Sequence, residues 1–287
     1  MPSEKIGPTT GLELYNFSQI TQSYRNLAWI TPHSGELIQQ ALQRENGGED
    51  IQRSSACLEF VIDSLTTQKN ATEFATELYR GRAVFFPDYV LLMDEYNGDA
   101  VTRSHDGINP LRHTCNCMAS YLEMFGHDDT ISLQQRAIEL MTIYYHDFGK
   151  VLNPKEEMHP QGSLLLASQS IKATSELLAE RFLADPKVIE QMIQFAVSFH
   201  DLAGNIDAKR ITFTEALDLV AQWQPSEEMW KCLSNVQHSD MACVPKMSEL
   251  FRKNNTEALT RLQMSYELTQ FIQVWYMLYL TYRDQSS

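Results

Sequence analysis

A strongly apolar stretch that ends in a His-Asp pair constrains this chain more than any other feature. Residues 137–145 read Ala-Ile-Glu-Leu-Met-Thr-Ile-Tyr-Tyr and run directly into His146 and Asp147, with Gly149 and Lys150 close behind. The stretch predicts an interior helix. Burying a carboxylate costs more than such a helix offsets, unless an ion pair, a hydrogen-bond network or a metal ion compensates the charge. We interpret the pair as part of a metal site, provided that other ligands exist.

Imidazoles and carboxylates suited to divalent metals recur along the chain. Adjacent residues lie about 100° apart around a helix, so His146 and Asp147 near a helix end could meet one cation, and further ligands would come from other helices. The candidates form an ordered set: His113, His146, Asp147, His159, His200 and Asp240. The sequence therefore predicts a metal site built between helices.

In this order the residues resemble the HD-domain superfamily of metal-dependent phosphohydrolases, in the form HD-x-G-K. Among HD domains, the sequence is most similar to those of bacterial tRNA nucleotidyltransferases and of CRISPR-associated helicase-nucleases. It covers residues 108–245 and rests on these stretches: His113-Thr114, His146 to Lys150, His159 to Ser163, His200-Asp201 and Asp240.

The resemblance implies a divalent metal cofactor, one or two ions of Mn, Fe, Ni, Mg or Zn. It implies a first-ion set of His113, His146, Asp147 and Asp240. A second ion would be held by His159 and His200, with Asp147 bridging the two. Asp147 and Lys150 would be catalytic, Lys150 by stabilising phosphoryl charge or by protonating the leaving oxygen; the alternative for Lys150 is a helix-end cation that offsets the dipole.

Three positions leave alternatives open. Pro160 fits the first turn of a helix, so His159 is either a ligand or a residue that merely precedes that helix. Relatives often carry paired histidines where this chain has His200-Asp201, so a second ion would bind weakly or use Asp201 instead. Arg112 is either a substrate-phosphate ligand, as Lys150 would be, or a solvent-exposed charge.

The cysteines show no zinc-finger spacing, and their number, 5, is odd. Cys115 and Cys117 follow the first histidine closely, which makes a soft metal ligand conceivable. Residues two apart on a helix point to different sides, so we expect one buried thiol and one peripheral thiol.

Charge limits the class of partner. The formal net charge is −14, and the 23 Lys and Arg residues are scattered rather than clustered. Proteins that grip a nucleic-acid backbone usually carry a basic patch. We therefore expect a small phosphorylated substrate or nucleotide and argue against a long nucleic acid.

The chain shows no sign of a membrane partner. Its longest uninterrupted apolar segments fall well short of the roughly 20 residues that cross a bilayer. Its first residues contain no apolar signal core. A cytoplasmic location is the default expectation.

No convincing period-2 alternation occurs, so the fold class is predicted to be all-α. We expect three parts: residues 1–107 as a helical N-terminal region packing on the core, residues 108–245 as an HD-domain helical bundle, and residues 246–287 as a C-terminal helical extension. The first part would contain helices over residues 12–30, from Ser34 and over residues 54–66, with a turn at residues 45–50. A connector would follow over residues 84–112.

Within the predicted bundle, the Asp128-Asp129-Thr130 cluster would open the helix that ends at His146. Further helices are expected over residues 162–182, 186–200, 212–223 and 227–244, with a break at residues 203–205. A long helix over residues 256–283 is apolar all round its second half. It would pack on the N-terminal helices or form a homodimer, and packing within the chain is favoured.

The predicted function is a metal-dependent phosphohydrolase that attacks a phosphomonoester or phosphodiester with metal-activated water. Two alternatives remain. A mixed-valent di-iron oxygenase of the HD superfamily, similar to myo-inositol oxygenase, would use the same four-His, two-Asp set. A non-catalytic HD domain would bind metal as a regulatory or interaction module.

Overall fold

The structure, a computed structural model, describes residues 48–86, 110–151, 159–243, 267–278 and 280–281. Within these ranges the regular elements are helices and no strand occurs, which confirms the all-α prediction. The helices predicted over residues 12–30 and from Ser34 lie outside these ranges, as does most of the predicted connector. The division into three parts and the cytoplasmic location stay predictions. No helix among the described residues is both long and apolar enough to cross a membrane.

The described helices, in chain order, are α1 (Gly48–Thr66), α2 (Ala71–Arg80), α3 (Arg82–Phe85), α4 (Pro110–Phe125), α5 (Leu133–Tyr145), α6 (His159–Phe182), α7 (Pro186–Phe199), α8 (Leu202–Asp207), α9 (Phe213–Trp223) and α10 (Glu227–Cys243). Phe148–Val151 form a short 3-10 turn between α5 and α6. The segment of residues 267–278 is helical as well, and we call it the C-terminal segment.

Side-chain caps account for where several helices begin. Asn70, Ser132, Asp185 and Thr212 each precede a helix and accept a hydrogen bond from a backbone N–H in its first turn. Thr212 and Glu215 complete a reciprocal capping box. Such caps satisfy donors that have no partner within the helix, so these boundaries follow from local sequence.

The expectation that residues 128–130 open α5 was wrong. Asp128 accepts hydrogen bonds from the backbone N–H and the hydroxyl of Thr130, which closes a turn before the helix. Ser132 then caps α5. The predicted end of this helix was correct, because His146 is its C-cap.

Two other local predictions need correction. The predicted turn at residues 45–50 conflicts with α1, which already begins at Gly48. The predicted break at residues 203–205 lies inside α8; the chain leaves α7 earlier, at His200. A helical Gly204 costs only about 1 kcal/mol, and buried Leu202 helps to hold the short helix in place.

Helix α5 lies at the centre of the described fold. It packs against α1, α4, α6, α7 and α10, and every residue from Ala137 to Tyr145 is buried. A helix that is apolar all round needs neighbours on every side, so the sequence prediction of an interior helix is confirmed. The end of α5 therefore delivers His146 and Asp147 into the protein interior.

One residue of α5 is a fully buried carboxylate. Glu139 accepts hydrogen bonds from the Tyr121 hydroxyl of α4, from Gln135 at 2.7 Å and from Asn235 of α10 at 3.0 Å. Burial raises the pKa of Glu139, although the three donors act in the opposite direction. The network ties together α4, α5 and α10, which also carry candidate metal ligands.

The C-terminal segment contacts α10 within the same chain, whereas its predicted packing on the N-terminal helices stays a prediction. Its Ile272 and Tyr276 are buried, and Thr269 donates a hydrogen bond to Gln237 of α10. Tyr276 also lies against Trp230, with ring centroids 6.0 Å apart. Contact with residues 1–47 lies outside the described ranges, and the homodimer stays a prediction. Other apolar side chains of the segment are exposed: Phe271, Val274, Trp275, Met277 and Leu278.

Tyr121→Phe is expected to lower the free energy of unfolding by about 1–3 kcal/mol, because it removes a donor from a buried carboxylate without changing packing. Chemical denaturation measures the change. Tyr79→Phe is the matched control, since Arg82 and Arg112 lie over the Tyr79 ring rather than its hydroxyl. Equal stability of the Tyr121→Phe and wild-type proteins would contradict a role for the Glu139 network.

Candidate metal centre

All six predicted ligands converge on one place in the interior. Five helices deliver them: His113 lies in the first turn of α4, His146 caps α5 with Asp147 next, His159 begins α6, His200 caps α7, and Asp240 lies near the end of α10. Each is buried apart from Asp240, whose side chain is 24% exposed. We call this set the His/Asp cluster.

Asp147 lies at the centre of the cluster, with its two oxygens facing different histidines. Its Oδ2 atom lies 3.4 Å from Nε2 of His113 and 3.4 Å from Nε2 of His146. Its Oδ1 atom lies 3.4 Å from Nε2 of His159 and 3.7 Å from Nε2 of His200. The carboxylate thus separates two groups of donors, as a bridging ligand would.

Asp240 completes the first group from the other side. Its Oδ1 atom lies 2.8 Å from Nε2 of His113 and 3.9 Å from Nε2 of His146. Nitrogen and oxygen atoms that lie within 4.8 Å of one another can hold a metal ion. The cluster contains three such groups of ligand atoms: the first in His113, His146 and Asp147, the second in His146, His200 and Asp240, and the third in Asp147, His159 and His200. The cluster is therefore compatible with metal binding.

The positions of the second group bear on two alternatives that the sequence left open, although metal binding by His159 and His200 stays a prediction. His159 is buried and its Nε2 atom lies 2.8 Å from Nε2 of His200, so it faces the cluster even though Pro160 follows it in the first turn of α6. The Asp201 side chain is 32% exposed and lies 4.0 Å from Arg210. His200, rather than Asp201, directs its donor atom at Asp147.

Backbone carbonyls fix the orientation of two histidines. Nδ1 of His146 lies 2.6 Å from the carbonyl oxygen of Ile143, and Nδ1 of His200 lies 2.8 Å from that of Val197. A ring that donates from Nδ1 presents Nε2 as a lone-pair donor, which is the usual arrangement of metal-binding histidines. Nε2 of His146 is buried and has no hydrogen-bond partner among the residues that the structure describes. A divalent cation would satisfy this atom, so the residues present fit a metal ion.

The electrostatic environment favours the protonation states in which His146 and Asp147 can bind a metal. Burial lowers the pKa of His146 to about 4, despite the opposing charges of Asp147 and Asp240. Burial alone would raise the pKa of Asp147, but the charges of His146 and Lys150 hold it well below its usual range. At neutral pH the cluster therefore offers a neutral imidazole beside an ionised carboxylate, the forms that bind metals.

The outer histidines carry protons more readily. Burial opposes the charge on His113, yet Cys243 and Asp240 raise its pKa. The pKa of His200 is raised too, because Asp147 outweighs the effect of burial. Metal binding at these two rings would displace protons.

Lys150 lies inside the cluster, on the 3-10 turn. Its side chain is 7% exposed and its Nζ atom lies 2.8 Å from Oδ2 of Asp147. A buried ammonium beside a buried carboxylate offsets part of the cost of burying both. This position is compatible with the catalytic role predicted for Lys150. The role itself stays a prediction.

Gly149 and Ser163 explain the spacing of the predicted motif. The Ser163 hydroxyl accepts a hydrogen bond from the Gly149 N–H at 2.7 Å and donates one to the carbonyl oxygen of His146 at 2.6 Å. A Cβ atom on Gly149 would lie 1.9 Å from the carbonyl oxygen of His159 and 2.5 Å from the Ser163 nitrogen. The absence of a side chain at Gly149 lets α6 approach closely enough to place His159.

Arg112 lies apart from these contacts. It is exposed, and its guanidinium group lies 5.3 Å from the ring centroid of Tyr79 on α2. It lines an open cavity of about 490 Å³ together with Arg80 and Cys115, among others. Its role in binding a substrate phosphate stays a prediction.

The prediction of one peripheral thiol was wrong, because Cys115 and Cys117 are both buried. Helix α4 is covered by α2 and by α10, so two of its faces are interior. Cys117 Sγ lies 3.4 Å from Nε2 of His113, and Cys243 Sγ lies 3.3 Å from Nδ1. Sequence reasoning did not single out Cys243; its position three residues after Asp240, on the same side of a helix, was the available signal.

Comparisons of the chain with protein-family models, with curated proteins and with solved structures gave no match. The metal-binding capacity of the His/Asp cluster therefore rests on its own geometry and chemistry.

Gly149→Ala is expected to lower both stability and metal affinity, because the new methyl group collides with the backbone of α6. Forcing atoms into a packed interior costs about 1–3 kcal/mol or more. Thermal unfolding and metal titration measure the two effects. Gly204→Ala is the control, since its nearest neighbour is the side-chain oxygen of Asp201 at 2.8 Å, which can move. Equal stability of the Gly149→Ala and wild-type proteins would contradict the collision with α6, and equal metal affinity would contradict its effect on His159.

Proposed function

We propose that this chain is an HD-domain metal-dependent phosphohydrolase, acting on a phosphomonoester or phosphodiester of a nucleotide or another small phosphorylated compound. One observation carries the proposal. The carboxylate of Asp147 faces His113 and His146 with one oxygen and His159 and His200 with the other. This is the arrangement that the resemblance to the superfamily implies for two ions bridged by one aspartate.

The residues of the His/Asp cluster account for metal binding in the proposed reaction. Four imidazoles and two carboxylates would hold one or two divalent ions, and Asp240 closes the first group at the exposed side. A divalent ion held by these residues would supply two effects: a lowered pKa of bound water and an offset of charge on a phosphoryl oxygen. Neutral His146 and ionised Asp147 keep the cluster ready to bind a cation at neutral pH.

Lys150 supplies the group that acts on the substrate. In the structure its ammonium lies beside Asp147, where it neutralises the carboxylate. A cation bound by Asp147 would compete for the same oxygen, because both are positively charged. Lys150 would then be available to a phosphoryl oxygen or to give a proton to the leaving oxygen, roles that suit an ammonium held close to the reacting group.

A small substrate agrees with the charge of the protein. The net charge of −14 disfavours a long polyanion. A single phosphate group needs only local positive charge, which Lys150 and the bound cation would provide.

The first test is metal content by mass spectrometry on protein purified without added metal. It is paired with a hydrolysis screen of model phosphodiesters and nucleotides with Mn²⁺, Fe²⁺, Ni²⁺ or Mg²⁺. We expect bound metal and turnover. Asp147→Asn should lower both, with turnover falling by more than about 100-fold, the upper range for loss of a residue that only supports a ligand.

Asp128→Asn is the matched control for this substitution. Asp128 also follows a histidine, but it lies in the turn before α5, so its replacement should leave metal content and turnover unchanged. Two irons with oxygen consumption and no hydrolysis would replace the proposal with the oxygenase. Absence of bound metal and of turnover in the wild-type protein would favour a non-catalytic module.

Lys150→Met separates catalysis from metal binding. We expect kcat to fall by about 10²-fold or more, the range for loss of a general acid, while the metal content stays that of the wild type. Lys172→Met, on the exposed side of α6, is the control. An unchanged kcat would show that Lys150 serves only as the ion-pair partner of Asp147.

A further inference from the structure

A second set of metal-binding side chains lies where α4 meets α10. His113 and Cys117 come from α4, and Asp240 and Cys243 come from α10. Their donor atoms all lie within 4.8 Å of one another. We call these four residues the thiol cluster. It shares His113 and Asp240 with the His/Asp cluster and adds two sulfur atoms.

The spacing of these residues places them on facing sides of two packed helices. His113 and Cys117 are four residues apart, and Asp240 and Cys243 are three apart, so each pair lies on one helix face. Helices α4 and α10 pack against each other. The Cys117 side chain is fully buried and that of Cys243 is 5% exposed. The helix pairing itself therefore assembles the four donors.

The distances between the donors lie near those around a tetrahedral ion, except that the two sulfur atoms are closer together. Cys117 Sγ lies 2.9 Å from Cys243 Sγ, 3.4 Å from His113 Nε2 and 3.7 Å from Asp240 Oδ1, and Cys243 Sγ lies 3.3 Å from His113 Nδ1. With metal–sulfur bonds near 2.3 Å and metal–nitrogen or metal–oxygen bonds near 2.0–2.1 Å, ligand atoms around tetrahedral zinc lie about 3.3–3.8 Å apart. Side-chain movements of under about 1 Å would accommodate a zinc-sized ion with these bond lengths.

The thiol cluster differs from the His/Asp cluster in the metal ions that its ligand atoms would select. Two thiolates select soft or borderline ions such as Zn²⁺ or Co²⁺, whereas carboxylates and imidazoles alone also accept Mn²⁺ or Mg²⁺. A second pair of buried cysteines, Cys57 and Cys115, interacts electrostatically, but neither belongs to any of the potential ligand groups in the described part of the chain. Proximity to His113 and Asp240 is what distinguishes Cys117 and Cys243.

We propose that His113, Cys117, Asp240 and Cys243 form a thiolate-containing binding site for a thiophilic divalent ion of the zinc type. This site is distinct from the ion position at Asp147. It does not depend on whether the chain hydrolyses phosphoesters. Since His113 and Asp240 belong to both clusters, an ion in the thiol cluster competes with an ion at Asp147 for these two ligands.

Cobalt titration of the metal-free full-length chain under reducing conditions tests the site. Cobalt bound by thiolates shows charge-transfer absorption in the near ultraviolet, and tetrahedral cobalt shows intense visible bands. We expect both in the wild-type protein, saturating at a single cobalt per chain in the thiol cluster, and we expect Zn²⁺ to abolish them. Cobalt binding without thiolate charge transfer, or no cobalt binding, would overturn the proposal.

Substitutions then assign the signal. Cys117→Ser and Cys243→Ser should each remove the charge-transfer absorption, while Cys115→Ser, on the same helix, should retain it. Helix content by circular dichroism identifies any variant that fails to fold, and the wild-type spectrum remains decisive in that case. A signal that survives in both Cys117→Ser and Cys243→Ser would refute the assignment.

Asp147→Asn separates this site from the proposed hydrolytic one. Asp147 is no member of the thiol cluster, so the variant should keep the thiolate–cobalt absorption while it loses phosphoester hydrolysis. Loss of hydrolysis with the absorption intact supports two distinct sites. Loss of the absorption in a folded Asp147→Asn protein would mean that the sulfur atoms serve the Asp147 ion, which contradicts a separate site.

Discussion

The buried carboxylate of Asp147 is the constraint on which the described structure depends. An isolated carboxylate moved into a low-dielectric interior loses hydration worth of order 20 kcal/mol in the idealised case, and several kcal/mol after relaxation. Four histidines and Lys150 surround it; the histidines come from α4, α6, α7 and the end of α5, and Lys150 comes from the 3-10 turn. The packing of these helices around α5 therefore also brings together the groups that compensate the charge of Asp147.

Helix α5 itself contains another buried carboxylate, Glu139, and it is compensated differently from Asp147, which follows the helix C-cap. Glu139 is surrounded by neutral donors, namely a phenol and two amides, whereas Asp147 is surrounded by imidazoles and an ammonium. Neutral amides and hydroxyls have low affinity for transition metals, and imidazoles have high affinity. The partners, rather than the burial of the carboxylate, thus distinguish the structural site of Glu139 from the potential metal site at Asp147.

The sequence was most informative where a feature is local. A buried helix ending at His146 could be predicted from spacing and residue type, because it depends on residues a few positions apart. The six members of the His/Asp cluster are spread from position 113 to position 240, so their grouping was predicted from residue type and from the resemblance to the HD-domain superfamily, and their binding of a metal stays a prediction. The partners of Glu139 could not be predicted, since Asn235 lies 96 positions away. The burial of both Cys115 and Cys117 was missed for the same reason, because it depends on α2 and α10 covering two faces of α4. The start of α5 was misplaced because Asp128 can either cap a helix or close a turn. In the structure Asp128 closes a turn, and Ser132 caps α5.

Asp240 is unlike the other members of the His/Asp cluster in its contact with solvent: 24% of its side chain is accessible, compared with 7% for Lys150 and less for the histidines. Among the described residues, α10 therefore provides the part of the cluster that is most open to solvent. A substitution next to Asp240 would change this solvent-facing side of the cluster without altering any histidine, so the surroundings of the site can vary while its imidazoles stay the same.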